Sequence, residues 1–500
     1  MKIFTKIAMT LAVATTIATS AFAGGPMTNT NQSAHFLRSI ARGTSLSTDA
    51  VYTNPAGVVF MEDGFHLGLN DQMAAQTRTI TSTYAPFAMG AQNGGNITKD
   101  FKGEVFSPVI PSVHFAWKHN RWAVMAGIGV NGGGGSLEFG NGLGSFERQF
   151  SVLPGAISQL GAPYGLSANQ YDIDMYLKGN SMTLAFNVGA AFRITDWLSV
   201  AAQLRMGVTS NGYEGHIKNI QTNPSCALLG LTGNMMPASQ FFQAAGAALG
   251  AVSPEVAAMA GKYAALTSDH ILDVKQKGTS ISPVLALAFH KGAWDASLKY
   301  EFKMATELEI ESAEVSAKDP VINGIFAHGS KVKAETPALL AAAVSRHFGP
   351  VKVTAQWHHY FDKDAENSFT ENQIEKAAGN SGVYNGLGCA IVGNTNEYML
   401  GVEWNITDKW LVSAGTQRTQ LNMNENAYSD MNFSISSWSI AAGLKYQVCD
   451  LLGINLGIMP TIYDEAVATG KIADSGMDFQ DTYKRTSIAW GIGLDFKFGK

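Results

Sequence analysis

The stretch that decides the fold lies close to the end of the chain and reads Trp490-Gly491-Ile492-Gly493-Leu494-Asp495-Phe496-Lys497-Phe498. Large apolar residues occupy every even position of this stretch, whereas small or charged residues occupy every odd one. An alternation with a period of two is the pattern of a β-strand whose two faces meet different surroundings. The stretch therefore predicts a strand with one apolar face and one polar face.

The same alternation recurs along most of the chain. It is present in residues 65–70, 182–189, 198–207, 294–302, 351–358 and 398–406. We count about twelve to fourteen such segments, a range set by the usual error of a few residues at predicted strand ends. The chain is therefore predicted to be all-β.

Two all-β architectures produce this alternation. A soluble sandwich or propeller turns the apolar side chains inward, whereas a membrane barrel turns them outward into lipid. The strands have about nine to eleven residues, the span of a tilted membrane strand. Short connections such as 193–197 and 405–410 alternate with long inserts, as in outer-membrane barrels. Tryptophans that lie at predicted strand ends, as girdle residues do, are Trp122, Trp197, Trp294, Trp410 and Trp490. Together these features predict a transmembrane antiparallel β-barrel.

The N-terminus carries the features of an export signal. Lys2 and Lys6 precede a mostly apolar stretch, and Ala21-Phe22-Ala23 fits the small-x-small rule for cleavage. We therefore expect residues 1–23 to be a signal peptide. No later window has the roughly 18 consecutive apolar residues that a membrane-spanning helix needs. Such a chain is periplasmic, secreted or an outer-membrane barrel.

Composition and motifs exclude several functional classes. The 500 residues carry a formal net charge of −5, without the clustered basic surface that nucleic-acid binding requires. Cys226, Cys389 and Cys449 give neither a disulfide framework nor zinc-ligand spacing, although Cys226 and Cys389 could pair across loops. His358 and His359 are adjacent in a strand, so their rings point to opposite faces. Because no Gly-x-Ser-x-Gly nucleophile motif occurs in a strand-to-helix context, we expect no enzyme activity, and no metal or cofactor.

A second informative segment follows the export signal. It contains, in this order, Ala41-Arg42-Gly43, Asp49-Ala50 and Asn54-Pro55-Ala56-Gly57. These elements and their spacing resemble the N-terminal plug of the FadL/TodX (OMPP1) family, the outer-membrane transporters of long-chain fatty acids and other hydrophobic compounds. The resemblance implies a barrel of about fourteen strands with a plug domain in its lumen.

The resemblance also implies domain limits and gating residues. Residues 24–62 would form the plug and residues 63–500 the barrel, whose largest extracellular loop would be at about 209–280. The residues implied in gating are Arg42, Gly43, Asp49, Asn54, Pro55, Ala56 and Gly57. In the family a kink in an early strand opens a lateral gap in the barrel wall, and residues 106–135, which include a glycine-rich run, resemble that region.

Two inserts, residues 151–176 and 223–270, are unusually apolar for surface loops. Pro254 behind Ser253 predicts the start of a short helix in the larger one. The candidate ligand contacts in this insert are Leu228, Leu229, Leu231, Met235, Met236, Phe241 and Phe242. Two interpretations remain open: the loop packs around its own small core, or it is an exposed landing site for a hydrophobic ligand. The architecture of the family supports the second interpretation.

A fatty acid would also need a partner for its carboxylate. Inward-facing Arg205 and Lys299 are candidates. The alternative is that these cations pair inside the lumen with Glu301, Glu403 or Asp495.

The function that these features predict is passive uptake of long-chain fatty acids or similar hydrophobic molecules across the outer membrane. Uptake would proceed by loop capture, a lumen pocket, plug rearrangement and lateral release. Import of aromatic hydrocarbons is the alternative on the same architecture, and a structural barrel or adhesin without transport is the alternative from another class. Outer-membrane lipids would surround the barrel. The final stretch resembles the aromatic strand by which barrel-assembly machinery recognises its clients, although Gly499 and Lys500 follow the last phenylalanine.

Overall fold

The computed structural model describes residues 26–249, 254–316, 326–367, 390–428, 430, 433–472 and 476–499. The predicted signal peptide, Ser253 and Cys389 lie outside these ranges. The strands of the first half are β1 (Gly64–Tyr84), β2 (Thr98–His119), β3 (Trp122–Phe139), β4 (Tyr171–Arg193), β5 (Leu198–Thr222), β6 (Ser225–Cys226), β7 (Leu231–Thr232), β8 (Met236–Pro237), β9 (His270–Lys291) and β10 (Trp294–Glu301). The strands of the second half are β11 (Glu307–Val315), β12 (Lys331–Lys333), β13 (Leu339–Phe348), β14 (Val351–Tyr360), β15 (Thr395–Asn405), β16 (Trp410–Gln420), β17 (Ser437–Cys449), β18 (Leu452–Tyr463), β19 (Ala466–Lys471) and β20 (Asp478–Phe498).

Short helices lie between these strands or ahead of them. They are α1 (Ala34–Ser39), α2 (Ala50–Thr53), α3 (Gly144–Ser151), α4 (Leu153–Gly161), α5 (Ala238–Leu249) and α6 (Pro254–Leu266). The larger apolar insert forms α5 and α6, as expected of alanine-rich segments. Among the described residues, no helix combines the length and the apolar composition needed to cross a bilayer.

The sheet closes on itself as a barrel. β1 pairs antiparallel with β2 on one side and with the last strand, β20, on the other. β10 and β11 occupy successive stretches of β9, and β18 and β19 occupy successive stretches of β20. β10 and β11 count as one interrupted strand, as do β12 and β13, and β18 and β19. The wall then has fourteen antiparallel strands, the number that the sequence analysis expected.

The two faces of the wall are arranged in the opposite way to those of a soluble protein. Val188 and Met206 point outward and are 59% and 47% exposed. Gln203 and Arg205, which alternate with such residues, are 5% and 2% exposed. A soluble sandwich would bury the first set and expose the second, whereas a barrel in lipid does the reverse. This arrangement confirms the barrel prediction.

The predicted strand lengths are wrong for half of the wall. β1, β2, β3, β4, β5, β9 and β20 have 21, 22, 18, 23, 25, 22 and 21 residues, about twice the expected length. These strands continue pairing beyond a membrane span because their inward residues, such as Leu177, Tyr213 and Val274, become apolar and pack on the loops. The largest loop is correspondingly shorter than predicted, since β5 continues to Thr222 and β9 begins at His270.

The tryptophan prediction holds for four of the five residues. Trp122, Trp294 and Trp410 begin β3, β10 and β16, and Trp197 directly precedes β5. Trp490 instead lies in the interior of β20, where it pairs with Met73 of β1. The prediction for Trp490 was wrong because β20 already begins at Asp478, well before the stretch in which its alternation is most regular.

An apolar cluster fills the interior at the end of the barrel that carries the long loops. Wall residues contribute most of it, and residues of α3, α4, α5, α6 and the connecting loops complete it. We call this the apolar lumen cluster; its aromatic members are Tyr84, Phe87, Phe101, Phe139, Phe146, Phe150, Tyr213, Phe241, Phe242, Phe326, Phe433 and Tyr483. The interior at the short-turn end is lined by polar side chains and holds the N-terminal segment, residues 26–61.

Candidate functional site

The N-terminal segment lies inside the barrel. Its polar contacts reach strands all around the wall: His35 binds Asp495 of β20, Arg38 binds Ser413 of β16, and the carbonyl of Val51 accepts from Gln203 of β5. Because these strands belong to different sides of the wall, the segment is enclosed by it. Most of the segment is buried.

The first helix of this segment packs unusually close to the wall. Ser33 caps α1 by accepting a hydrogen bond from the amide of Phe36. A Cβ atom placed on Gly457 of β18 would lie 2.6 Å from the backbone nitrogen of Arg38, and one on Gly493 of β20 would lie 3.2 Å from Cβ of Ala34. Glycine at these inward positions therefore makes room for α1. This explains why the polar face of the final strand contains glycine.

The predicted gating residues Arg42 and Asp49 form one buried ion pair. Nε and Nη2 of Arg42 donate to the two carboxylate oxygens of Asp49 at 2.8 and 3.0 Å. Nη1 of Arg42 donates to Glu403 of β15 at 2.8 Å, which ties the segment to the wall. Burial by itself raises the pKa of the Asp49 carboxyl, but the guanidinium of Arg42 outweighs it and holds that pKa well below the ordinary value.

The Asn-Pro-Ala-Gly elements form a compact turn beside this pair. Nδ2 of Asn54 donates to the carbonyl of Ser45 at 3.0 Å, and Pro55 begins a 3₁₀ helix, Pro55–Phe60. A Cβ atom on Gly57 would lie 2.2 Å from Nδ2 of Asn54, so the turn requires glycine there. The carbonyl of Ala56 accepts from Ser199 of β5 at 2.6 Å. Gly43 donates its N–H to Gln356 of β14 at 2.6 Å.

Arg205 and Lys299 pair with a carboxylate inside the lumen, which is the alternative to ligand binding that the sequence analysis left open. Both pair with Glu301, and the Lys299–Glu301 distance is 2.7 Å. Nζ of Lys299 also donates to the carbonyl of Tyr52 at 3.0 Å, and the Arg205 guanidinium lies 4.6 Å from the centre of the Tyr52 ring. These cations therefore hold the N-terminal segment to the wall.

The candidate ligand contacts of the large loop divide into two groups. Phe241 and Phe242 are 5% and 8% exposed and belong to the apolar lumen cluster, where Phe242 stacks on Tyr263 at 5.0 Å. Leu228 and Leu229 are 84% and 57% exposed. Leu231, Met235 and Met236 are half-buried. One part of the loop thus packs in a core, while another presents apolar side chains outward.

The wall is interrupted between β2 and β3. Their pairing passes directly from Val105 with Leu137 to Val113 with Ile128. The skipped part of β2 contains Pro108 and Pro111, which have no N–H to donate to a neighbouring strand. The skipped part of β3 contains Gly133 and Gly134, whose φ angles of +66° and +112° divert the strand. The interruption thus lies in the region, residues 106–135, in which the sequence analysis expected a strand kink.

A cleft of about 910 Å³ lies at this interruption. It is lined by residues from both faces of the wall: Ala75, Thr77, Phe106 and Ser136 outside, and Gln76, Val105 and Ser487 inside. Most of the lining residues therefore face outward, and a few inward-facing side chains lie among them. The chemistry of its lining is mixed, with lysine and glutamate at the outer rim.

The N-terminal segment covers the inner side of the same interruption. The amide of Asn29 donates to the carbonyl of Asn131 at 2.9 Å, and Nε2 of Gln32 donates to the carbonyl of Val130 at 2.9 Å. The hydroxyl of Tyr52 donates to Oδ1 of Asn131 at 2.9 Å. The unpaired edge of β3 is thus partly satisfied by the segment rather than by β2.

Several residues that hold the segment escaped the sequence analysis as site residues. Asp495 accepts from Thr48 at 2.5 Å and from Asn455 at 2.8 Å in addition to its contact with His35. The sequence signal for Asp495 was its position as a charged residue on the polar face of the most regular strand. Glu403, which the sequence analysis named only as a possible lumen partner of other cations, lies 2.8 Å from Arg38, which the sequence analysis did not single out.

The remaining polar candidates have structural partners. His358 is buried against Glu397 at 3.0 Å, whereas His359 points to the other face and contacts Asn396. In the part of the chain that the structure describes, no three histidine, cysteine or acidic side chains come together as metal ligands would. The thiol of Cys226 is buried and donates to the carbonyl of Tyr164 at 3.4 Å.

These features define a class of protein: a closed fourteen-stranded barrel with an internal N-terminal segment and a lateral interruption of its wall. Several solved structures match the chain over most of its length. A FadL homologue from Pseudomonas aeruginosa has a TM-score of 0.59 and 14% identity, with 95% of this chain and 99% of that chain covered. The toluene transporter TodX of P. putida has a TM-score of 0.50 and 15% identity, covering 91% of this chain and 95% of that one.

A TodX deltaS2S3 mutant, a monoaromatic hydrocarbon channel, has a TM-score of 0.51 and 14% identity over 90% of this chain and 94% of that chain. No protein-family profile and no curated protein sequence matches the chain. The chain therefore has the fold of the FadL and TodX barrels, and the resemblance first seen at residues 41–57 extends to the whole barrel.

Proposed function

We propose that the protein is an outer-membrane channel for the passive uptake of hydrophobic molecules, with long-chain fatty acids as the first candidates. The observation that carries the proposal is the cleft at the interruption between β2 and β3, whose lining includes residues of both faces of the wall. A polar solute gains no free energy by leaving the lumen through the wall into the bilayer. A hydrophobic solute gains about 0.8 kcal/mol for each methylene that it moves out of water. The shared fold with FadL and TodX supports the same conclusion.

The proposed route begins at the long loops. Exposed Leu228 and Leu229 provide a first apolar contact, with half-buried Met235 and Met236 beside them. Flexible methionines suit apolar ligands of irregular shape. The ligand then enters the apolar lumen cluster, below which the N-terminal segment blocks the remaining path.

In this proposal residues 24–62 are a plug, and its first part is the gate. Asn29 and Gln32 hold the kinked edge of β3 through hydrogen bonds to backbone carbonyls, which a ligand can displace. The rest of the plug is fixed by the Arg42–Asp49–Glu403 ion pairs and by Lys299. A shift limited to residues 26–32 would therefore open the cleft toward the bilayer while the plug stays in the lumen.

The same proposal assigns residues 1–23 to a cleaved signal peptide and places the barrel in the outer membrane of a Gram-negative cell. Barrel-assembly machinery would insert it, and membrane lipids would cover its outward apolar face. Aromatic hydrocarbons are the second candidate ligands, because the apolar lumen cluster is rich in aromatic rings. No catalytic step is part of the proposal.

The test is to fill the cleft. Ser136→Trp places a large side chain among the cleft-lining residues, and Ala414→Trp places the same side chain on the outward face of β16, away from the cleft. Uptake of radiolabelled oleate and of toluene is measured in cells that lack other import routes. We expect S136W to reduce uptake to the level of cells without the protein and A414W to leave it unchanged. Full uptake by an S136W barrel of normal abundance and heat-modifiable gel migration would refute lateral release.

A further inference from the structure

Helix α3 follows closely on the kinked strand. β3 ends at Phe139, and α3 begins at Gly144. Between the interruption and the end of the barrel that carries the long loops, three residue pairs join β3 to β2, from Val105 with Leu137 to Gly103 with Phe139. We call residues 135–139 the upper segment of β3. Because so few backbone hydrogen bonds attach this segment to β2, other contacts gain weight in fixing its position.

The upper segment of β3 forms one side of the cleft. Ser136, Glu138 and Gly140 line the cleft, and Gly140 lies in the connection from β3 to α3. The lining residues on the other side belong to β2 and include Glu104 and Phe106. A displacement of the upper segment relative to β2 would therefore change the width of the cleft.

Helix α3 is buried against the inner face of the wall, although it carries two charged side chains. Phe146 and Phe150 of this helix belong to the apolar lumen cluster. Glu147 and Arg148, which lie between them in the chain, are 1% and 7% exposed. Charged groups removed from water need partners of opposite charge, so the contacts of these two residues determine where the helix can lie.

Glu147 connects the two strands that flank β3. Its Oε2 accepts from Nζ of Lys99 on β2 at 2.7 Å, and its Oε1 accepts from the hydroxyl of Tyr171 on β4 at 2.9 Å. β2 and β4 are the neighbours of β3 on its two sides. One carboxylate thus bridges the kinked strand, through hydrogen bonds that its charge strengthens.

Arg148 connects the same helix to the seam at which the barrel closes. Its Nη1 donates to Asp481 of β20 at 2.6 Å and to Ser82 of β1 at 2.7 Å. Ser82 pairs with Asp481 on one side and with Lys99 on the other, so these three residues form one row across β20, β1 and β2. Two successive residues of α3 therefore match the negative and the positive end of this row.

We infer that Glu147 and Arg148 are positioning residues of the lateral route: through α3 they fix the upper segment of β3 and so limit the width of the cleft. The contacts join α3 to β20, β1, β2 and β4, whereas the chain itself joins α3 to β3. The inference rests on the proposed function and deepens it, because it assigns the limit on the cross-section of the passing molecule to two named side chains.

The first test measures the position of the upper segment. Glu147→Leu removes the link between β2 and β4 and leaves Lys99, which is partly exposed, free to turn toward solvent. We expect amide hydrogen exchange of residues 135–139 in the purified full-length protein to become about tenfold faster or more, since a charged hydrogen bond is lost. Lys277→Met, which breaks an exposed ion pair with Glu311 at the same end of the barrel, is the matched control and should exchange like the wild type.

The second test measures the cross-section that passes. Uptake of oleate is compared with uptake of a fatty acid that carries a pyrene ring at the end of its chain, in cells that lack other import routes. We expect E147L to raise the ratio of pyrenyl to oleate uptake about tenfold or more, in step with the exchange rate. The exchange of charges in Lys99→Glu/Glu147→Lys restores an ion pair between α3 and β2 and should return the ratio toward that of the wild type. Lys277→Met should leave the ratio unchanged.

The outcomes separate this inference from the proposed function. An unchanged ratio in E147L, with normal oleate uptake, would overturn the width limit and leave the proposed function standing. Unchanged exchange in residues 135–139 would overturn the positioning role, as would a charge exchange that leaves the ratio at the level of E147L. Wild-type cells that take up neither probe would overturn the proposed function and this inference with it. If E147L fails to assemble, Glu147→Gln decides: the ratio should rise by a smaller amount, and a wild-type ratio would overturn the inference.

Discussion

Arg42 donates to both carboxylate oxygens of Asp49, and the two side chains are 4% and 0% exposed inside the barrel. The bidentate geometry makes this ion pair the centre of the N-terminal segment, because Arg42 also reaches Ser45 at 2.8 Å and Glu403 of the wall. The motif that first suggested a plug is thus the part of the segment with the densest charge pairing.

Replacement of one partner in this pair should loosen the segment without unfolding the barrel. Arg42→Met leaves the Asp49 carboxylate buried and unpaired, which costs about 3–5 kcal/mol at such sites. We expect limited proteolysis of the purified variant to cut within residues 26–61, while the barrel keeps its heat-modifiable migration. Arg418→Met, which breaks the exposed pair with Asp464, serves as the control and should leave the segment protected. Equal protection of Arg42→Met and the wild type would contradict a structural role for the pair.

The pH dependence of segment release follows from the same carboxylate. Its pKa lies below the ordinary aspartate value of about 3.9, so its contribution is fully present above that value and is lost only as the pH falls through the lowered pKa. Protection of residues 26–61 against proteolysis should therefore be constant between about pH 5 and pH 8. An acid-stable protease at lower pH would detect the loss. Release of the segment near neutral pH would show that another group controls it.

The close approach of α1 to the wall predicts that the packing of this helix is sensitive to a methyl group added at a glycine that faces it. Gly457→Ala places a methyl group 2.6 Å from the backbone nitrogen of Arg38, and backbone on both sides cannot yield easily. We expect the variant to expose α1, detected as faster hydrogen exchange in residues 34–39. Gly453→Ala on the same strand meets only the ends of flexible side chains, 3.0 Å away, and should leave α1 protected. Identical exchange in both variants would argue against tight packing of α1.

The interruption between β2 and β3 should also be visible by hydrogen exchange. Amides in residues 106–109 and 129–136 should exchange faster than those of residues 174–193, where β4 pairs with β5 in continuous register. Release of residues 26–32 from the wall should increase exchange in residues 129–132 first, since Asn29 and Gln32 hold that edge. Uniform protection along all of these strands would contradict the gap.

Two substitutions in the large loop should separate its effect on stability from its effect on ligand capture. Phe242→Ala removes a ring buried in the apolar lumen cluster and should destabilise the loop by about 3–5 kcal/mol. Leu228→Ala removes an exposed side chain, so stability should be unchanged while capture of oleate at the surface declines. Thermal unfolding and the initial rate of oleate uptake measure the two effects. Unchanged uptake by L228A would remove this leucine from the landing site.

The sequence by itself determined the strand pattern of the barrel wall and the character of its two faces. Alternation such as that of residues 490–498 sets one apolar and one polar face, and a period of two leaves only the choice of which face points inward. The alternation of short turns with long inserts then favoured the barrel, and the resemblance of residues 41–57 to a family plug predicted a segment inside it. These features are local, so a single chain displays them without knowledge of its neighbours.

The tertiary structure decided what depends on register and closure. Arg205 and Lys299 could have met a ligand or any of three carboxylates, and only the pairing of β5, β9 and β10 brought them to Glu301. Arg78 and Arg485 lie near opposite ends of the sequence and become neighbours only because the last strand pairs with the first. The length of β20 and the position of the gap follow likewise from hydrogen bonds between strands. Such contacts join residues far apart in the chain, and no local pattern encodes them.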